Sequence, residues 1–277
     1  MSDVLVVIGA GGMGETIARR LAPGRTTLLA DYNTDLLARL AESMSTDGFE
    51  VVTAHVDVSW RASVEALARQ ADGLGSITHV VHTAGVSPTQ APIEAVLKVD
   101  LLGVALVLEA FGAVVSSGAA GVVISSSSGH LTPPFTAEQA HLIRTSAPED
   151  LLRLRFFAPE SLGHAGIAYG LSKQANRLQV QNAARAWGAR GARYNSVSAG
   201  VISTAMDRLE LDSPSGGFMR AMVEKSGTGR IGTPSDIADA VTFLVGPQSS
   251  FITGTDLLVD GGSVAAVATG RVAVPGR

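Results

Sequence analysis

Short, continuously apolar runs alternate with segments of helical spacing along most of the 277-residue chain, and this alternation restricts the fold more than any other feature. Val4–Ile8, Thr27–Ala30, Val51–Val56, Ile77–His82, Gly121–Ser125, Arg193–Val197 and Asp256–Val259 read as seven strands. Between them, Ile17, Ala18 and Leu21, then Leu36, Leu37 and Leu40, then Val64, Leu67 and Ala68 recur at helical intervals. A strand that is apolar on both sides must be covered on both faces. The pattern therefore predicts an α/β fold with a seven-stranded parallel sheet and helices on either side.

The alternation breaks once. From about 130 to 165 there is no strand signal, four prolines occur (Pro133, Pro134, Pro148, Pro159), and Glu149–Phe157 has helical patches. This reads as a helical insert in a single domain spanning 1–277, a length suited to one large core. The tail from about Ser263 reads as loose. The apolar stretch Val96–Val115 carries Lys98, Asp100 and Glu109 and reads as a buried helix, not a membrane span. A net charge of −4 with no basic patch argues against nucleic acid as a partner. The chain has no cysteine, which excludes disulfides and thiolate chemistry. The first strand begins almost at Met1, leaving no room for a signal peptide, so a cytoplasmic location is expected.

Gly9-Ala10-Gly11-Gly12-Met13-Gly14 follows the first strand and opens a helix, the context that a dinucleotide-binding G-x-G-x-x-G requires. Glycines let the backbone turn tightly and approach a pyrophosphate, and the helix N-terminus offers it free N–H groups. The fold is thus of the Rossmann, doubly wound type. Asp31 ends the second strand, 22 residues after Gly9, where a carboxylate would bond both adenosine-ribose hydroxyls and repel a 2′-phosphate. Tyr32 and Asn33 supply no cation, so NAD is the expected cofactor. Asp57-Val58 after the third strand would border the adenine, although Asp57 taken alone reads as a helix cap.

Tyr169 and Lys173 stand at i and i+4, on one face of a helix. A free tyrosine, with a pKa near 10, is a poor base at neutral pH. A nearby ammonium favours the phenolate. Lysine is scarce here, 3 residues against 18 arginines, which suggests that arginine would not serve at position 173.

Taken together, these pieces make the chain resemble the short-chain dehydrogenase/reductase family over nearly its full length. The matching motifs are the glycine loop, Asp31, Asp57-Val58, His82-Thr83-Ala84-Gly85, Ser126, Tyr169 with Lys173, Asn195 to Gly200 with Thr204, and Gly254 to Gly262. The resemblance implies that Ser126, chosen over its neighbours Ser125 and Ser127 by the family's strand-end pattern, holds the substrate carbonyl, Tyr169 passes the proton, and Lys173 tunes Tyr169 and positions the ribose. It also implies that Thr83, Ala84, Gly85, Gly200, Ile202 and Thr204 line the cofactor. Three departures stand out. Ile8 occupies the place of the usual threonine in a glycine loop one residue short, Thr83 replaces the usual asparagine of N-A-G, and Asp100 replaces the asparagine that helps hold a relay water. Ser126 and Tyr169 are 43 residues apart, a much longer interval than is usual in the family. That interval, with Ala186-Trp187-Gly188 leading into Arg193-Tyr194-Asn195, is similar to the bacterial 3-alpha-hydroxysteroid dehydrogenase/carbonyl reductase branch.

The expected partner is a small-molecule alcohol or carbonyl, bulky and apolar, because Met206, Leu209, Phe218, Met219 and Met222 follow Thr204. The insert, with Phe135, Phe156 and Phe157, is expected either to cover the pocket or to block the surface of the long fourth and fifth helices through which many family members dimerise. A mixed role is favoured, a pocket wall that forces a different subunit contact, with a homodimer or homotetramer as the assembly. No H-E-x-x-H or G-x-S-x-G pattern is present, so no metal and no hydrolase elbow is expected. Two alternatives stay open: an NAD-binding sensor or scaffold without turnover, favoured only by Asp100, and a reductase of acyl-thioester carbonyls, which Asp31 opposes.

Overall fold

The computed structural model describes residues 2–273, apart from the side chain of Asp207. In chain order, β1 (Asp3–Ile8), α1 (Gly12–Leu21), β2 (Thr26–Asp31), α2 (Thr34–Thr46), β3 (Glu50–His55), α3 (Arg61–Leu74) and β4 (Ser76–His82) form the first half. A long helix follows, made of α4 (Ile93–Val96), a π-helical stretch Leu97–Leu102 and α5 (Gly103–Gly112). Then come β5 (Ala120–Ser126), the insert, α9 (Ala165–Ala189), β6 (Arg193–Ala199), α10 (Ala205–Leu211), α11 (Gly216–Glu224), α12 (Pro234–Val245), β7 (Asp256–Val259) and α13 (Ser263–Ala268). The insert holds α6 (Ser128–Leu131), α7 (Ala137–Thr145) and α8 (Pro159–Leu162).

All seven strands join one parallel sheet in the order 3-2-1-4-5-6-7. The order reverses between β1 and β4, and ligands of such sheets bind beyond the carboxyl ends of the strands at that crevice. Gly9, Thr83, Ser126 and Gly200 all lie at or just past these carboxyl ends. Alternate strand residues feed two cores. Val4, Val6 and Ile8 face α3, α5 and α9, whereas Leu5 and Val7 face α1, α2 and α12. Trp187 closes the first core, stacking edge-on against Tyr194 at 4.5 Å and donating its indole N–H to the Leu108 carbonyl at 3.0 Å.

The insert makes a third core on the outer side of the long helix. Ile143, Leu151, Phe157 and Leu162 pack on Val96, Leu97, Leu101 and Ala168. A Thr136/Gln139 capping box starts α7, and Arg61 ties the insert to α3 by pairing with Glu149 at 2.6 Å. Phe135, Phe156 and Phe157 stack on one another, with ring centroids 4.8–6.0 Å apart. They fill this core and do not cover the pocket described below, contrary to the expectation from sequence. The tail also differs from its reading: α13 packs Ala266 on Met222 of α11. No described helix is long and apolar enough to cross a membrane.

Candidate active site

The short helix α6 meets the long helix α9 backbone to backbone. A Cβ at Gly129 would stand 2.7 Å from the Gln174 nitrogen and 2.8 Å from the Lys173 carbonyl carbon, so no larger residue fits. Gln174 locks the crossing. Its amide N–H groups are shared among the carbonyls of Gly129, Thr132 and Pro133, and its oxygen accepts from the Phe135 N–H. Ser126 and Tyr169, 43 residues apart in sequence, consequently open onto one cavity of about 240 Å³. Ser125 is not an alternative to Ser126, because its hydroxyl donates to the Lys173 carbonyl at 2.8 Å. Ser126 Oγ accepts from the Ser128 N–H at 3.2 Å and keeps its proton for another partner.

Lys173 is buried, with Nζ 5.4 Å from the centre of the Tyr169 ring. The ammonium also pairs with Asp100 Oδ1 at 2.9 Å and lies 3.5 Å from the Ile124 carbonyl. Asp100 therefore does not simply replace an uncharged asparagine; it puts a carboxyl group against Lys173. Asp100 is fully buried, and its other oxygen accepts from the Val86 N–H at 3.3 Å. Burial pushes its carboxyl up from the usual range, against the pull of the Lys173 ammonium. Gly85 sits over this pair, its missing Cβ leaving room 2.7 Å from Asp100 Oδ1. The π-helical stretch that carries Asp100 has its carbonyls satisfied from α9: Asn176 donates to the Asp100 carbonyl and Gln179 to that of Leu101. Neither Asn176 nor Gln179 was singled out from sequence. Both occur at i+3 and i+6 from Lys173, on the helix's buried side.

The glycine loop is forced by its neighbours. Gly9 has φ +94°, and a Cβ there would strike the Ala84 nitrogen at 2.3 Å. A Cβ at Gly14 would strike the Gly9 carbonyl oxygen at 1.9 Å. Thr83 closes the loop by donating to that same oxygen at 2.5 Å. Helix α1 begins at Gly12 with Gly11 as an N-cap that offers no side-chain acceptor, and Thr204 stands 3.5 Å from the place of a Gly12 Cβ. An uncapped N-terminus at the sheet's switch point fits a pyrophosphate, with Gly11, Gly12 and Met13 as the residues that would hold it. Asp31 ties the loop to β2, accepting from the Ala10 N–H at 2.7 Å and the Asn33 N–H at 2.8 Å. A carboxylate accepts about four hydrogen bonds, so this leaves capacity for ribose hydroxyls.

Other expected cofactor contacts are less direct. Tyr32 is 71% exposed and lies against His55. Asp57 accepts from the N–H and hydroxyl of Ser59 in a local turn and does not cap α3, whose N-cap is Trp60, and the Val58 side chain is in the first core. Ile202 packs in the second core and is bridged to Gly232, while Gly200 bonds β7 through the Val259 carbonyl. Of the apolar residues after Thr204, Met206, Phe218, Met219 and Met222 line the cavity, whereas Leu209 is exposed. Glu210, not anticipated from sequence, lines it too.

Comparison with known proteins agrees with this geometry. The family profile of short chain dehydrogenases matches residues 3–139, and that of enoyl-(acyl carrier protein) reductase matches residues 136–264. The chain is 42% identical over 266 residues to the short-chain dehydrogenase/reductase bsc3 of Alternaria brassicicola, covering 95% of this chain and 96% of that one. It is 28% identical to 3beta-hydroxysteroid dehydrogenase 2 of Eggerthella lenta, covering 92% and 91%. The crystal structure of the 3-alpha-hydroxysteroid dehydrogenase from Pseudomonas sp. B-0831 complexed with NADH superposes with a TM-score of 0.77 at 26% identity, covering 98% and 100%. The chain belongs to the short-chain dehydrogenase/reductase family, oxidoreductases of alcohol and carbonyl groups that use a nicotinamide cofactor.

Proposed function

We propose that this protein is an NAD(H)-dependent dehydrogenase/reductase that interconverts a secondary alcohol and a ketone on a bulky, apolar, steroid-like substrate. The observation that carries the reading is one cavity shared by Ser126, Tyr169 and an apolar wall of Leu131, Met206, Phe218, Met219 and Met222. In the reducing direction the Ser126 hydroxyl donates to the substrate oxygen, and Tyr169 delivers the proton as that oxygen gains charge. Lys173, beside the Tyr169 ring, stabilises the phenolate left behind. The nicotinamide, when bound, supplies or accepts the hydride. Asp31 supports NAD over NADP, because its carboxylate would lie against a 2′-phosphate. The likeness to an NADH-bound 3-alpha-hydroxysteroid dehydrogenase supports the hydroxysteroid dehydrogenase/carbonyl reductase branch. We extend the proposal to a single domain over 1–277 that assembles as a homodimer or homotetramer.

A second reading, nucleotide binding without turnover, is favoured by the Asp100–Lys173 pair, which occupies part of the ammonium's donor capacity. Following NADH consumption at 340 nm over a panel of cyclic ketones separates the two. The Tyr169→Phe variant keeps the ring but has no proton to give. Its turnover is expected to fall about 10²- to 10⁴-fold, while NADH binding, read by fluorescence, persists. Normal turnover by this variant, or none by the unmodified protein on any ketone or alcohol, refutes the dehydrogenase reading.

A further inference from the structure

Apart from Tyr169, one ionisable side chain lines the cavity among the described residues, and it is Glu210 of α10. It stands among Met206, Phe218, Met219 and Pro88, on the wall contributed by α10, α11 and the loop after β4. Its Oε1 accepts from the Ser87 hydroxyl at 2.5 Å. Ser87 is fully buried and is itself held by Thr89, whose hydroxyl lies 2.8 Å away and whose N–H donates back to Ser87 Oγ at 3.2 Å. The carboxylate is thus aimed by a fixed, buried donor.

An acid in such a wall is costly unless something bonds it. Burial pushes the Glu210 carboxyl up from its usual range, the Ser87 hydrogen bond opposes that, and the Asp100 carboxylate adds to it. The repulsion from Asp100 ties the group electrostatically to the catalytic end of the cavity. One hydrogen bond from Ser87 does not exhaust an oxygen pair that accepts about four. An apolar substrate with no polar group would leave the remaining capacity desolvated. A substrate carrying a donor would fill it.

We infer that Glu210 determines specificity by accepting a hydrogen bond from a second polar group of the substrate. The substrate class is then an apolar ketone or secondary alcohol that bears, away from the reacting carbon, a hydroxyl or a protonated amine. This rests on the proposed carbonyl chemistry at Ser126 and Tyr169 and specifies what that chemistry acts on. Ser87 is a positioning residue for Glu210.

The test uses the full-length protein with NADH and matched androstane and decalin ketones, each with and without a distal hydroxyl or amino group. For the unmodified protein, the donor-bearing ketone of the best pair is expected to exceed its plain analogue about 10- to 100-fold in kcat/KM, the range for a hydrogen bond to a charged group. Glu210→Leu should abolish that ratio by lowering kcat/KM selectively for the donor-bearing member of each pair, whereas a merely structural role would lower both members alike and leave the ratio standing. Glu210→Gln, which keeps an acceptor oxygen but no charge, should retain most of a hydroxyl preference and lose an amine preference. Ser87→Ala should weaken the ratio without erasing it. Equal kcat/KM within every pair in the unmodified protein overturns the inference, as does a preference that survives Glu210→Leu. Failure of every ketone, plain ones included, instead overturns the carbonyl reading beneath it.

Discussion

Replacing Asp100 by asparagine removes a buried carboxyl group from beside Lys173, the residue proposed to tune the ionisation of Tyr169. The carboxylate lies 2.9 Å from Lys173 Nζ, and Nζ lies 5.4 Å from the Tyr169 ring centre. Those two distances together keep the carboxylate oxygen within about 8 Å of the Tyr169 ring centre, and at that separation with an effective dielectric of about 20 the repulsion on a phenolate is about 2 kcal/mol. That corresponds to roughly 1.5 pH units. Alcohol oxidation needs the phenolate as base, so a negative neighbour delays the rise of rate with pH. Asp100→Asn is therefore expected to move the acidic limb of kcat/KM for oxidation downward by about 1 to 1.5 pH units. The assay is a pH–rate profile at constant ionic strength on a single secondary alcohol. Thermal unfolding is followed alongside, because taking one partner from a buried ion pair is itself destabilising. A variant that folds and turns over with an unmoved acidic limb refutes the reasoning. Asp100 would then be neutral in the working range, or its charge fully spent on Lys173.

Three further outcomes follow from other parts of the molecule. Asp31→Ser should narrow the preference for NAD(H) over NADP(H), measured as the ratio of kcat/KM; an unmodified protein equally efficient with both cofactors would remove the basis for this. Phe157→Ala should cost about 3–5 kcal/mol in chemical denaturation while leaving the order of substrate preference intact, since Phe157 is fully buried in the insert's core and does not line the cavity; a changed substrate order would show that the insert shapes the pocket. His82 is fully buried, and burial, followed by the Lys173 charge, lowers its pKa to about 3, against 6.5 when free. The unfolded chain therefore binds this proton first, so stability is complete above about pH 6.5 and declines as pH falls toward about 3. His82→Gln should flatten the urea-midpoint profile across that window, and an unchanged slope would assign the acid sensitivity elsewhere.

All seven strands were legible because strands buried on both faces are apolar throughout. Some ends were read short where the apolar run stops: Asp31, Ser126 and Ser198-Ala199 belong to strands, Asp31 holding the glycine loop, Ser126 and Ala199 lining the cavity, and Ser198 donating to Asp256. The insert was visible as a break in pattern. Its packing partner was not, because Phe135, Phe156 and Phe157 are equally suited to a pocket lid and to a core, and only the fold decides between them. Helix α13 escaped notice because Ser263–Ala268 is one short turn-and-a-half of small residues whose reason to be helical is Met222, some forty positions earlier. Ser126, Tyr169 and Lys173 could be named from motif order, but the direct Asp100–Lys173 pairing depends on a π-helical stretch that no residue pattern announces. Glu210 is one of three acids between Met206 and Phe218, with Asp207 and Asp212, and nothing in their spacing marks it as the one that lines the cavity; only the fold does.

The Gly129–Gln174 crossing has a consequence for how this molecule can be cut and rejoined. Ser126 and Tyr169 are held in register by contact of α6 and the Thr132–Phe135 segment with α9, and the insert past Phe135 adds no further bond to Gln174. Lengthening such a link costs only about 0.6 kcal/mol per doubling, which is how a long excursion can be accommodated without displacing either side chain. By the same logic, a chain severed in the exposed part of the insert, between α7 and the Pro148–Arg153 turn, would keep both halves of the site assembled through the crossing and the third core. The excursion is then a natural place for a split-protein junction: two fragments, neither active alone, whose reunion restores the serine–tyrosine geometry.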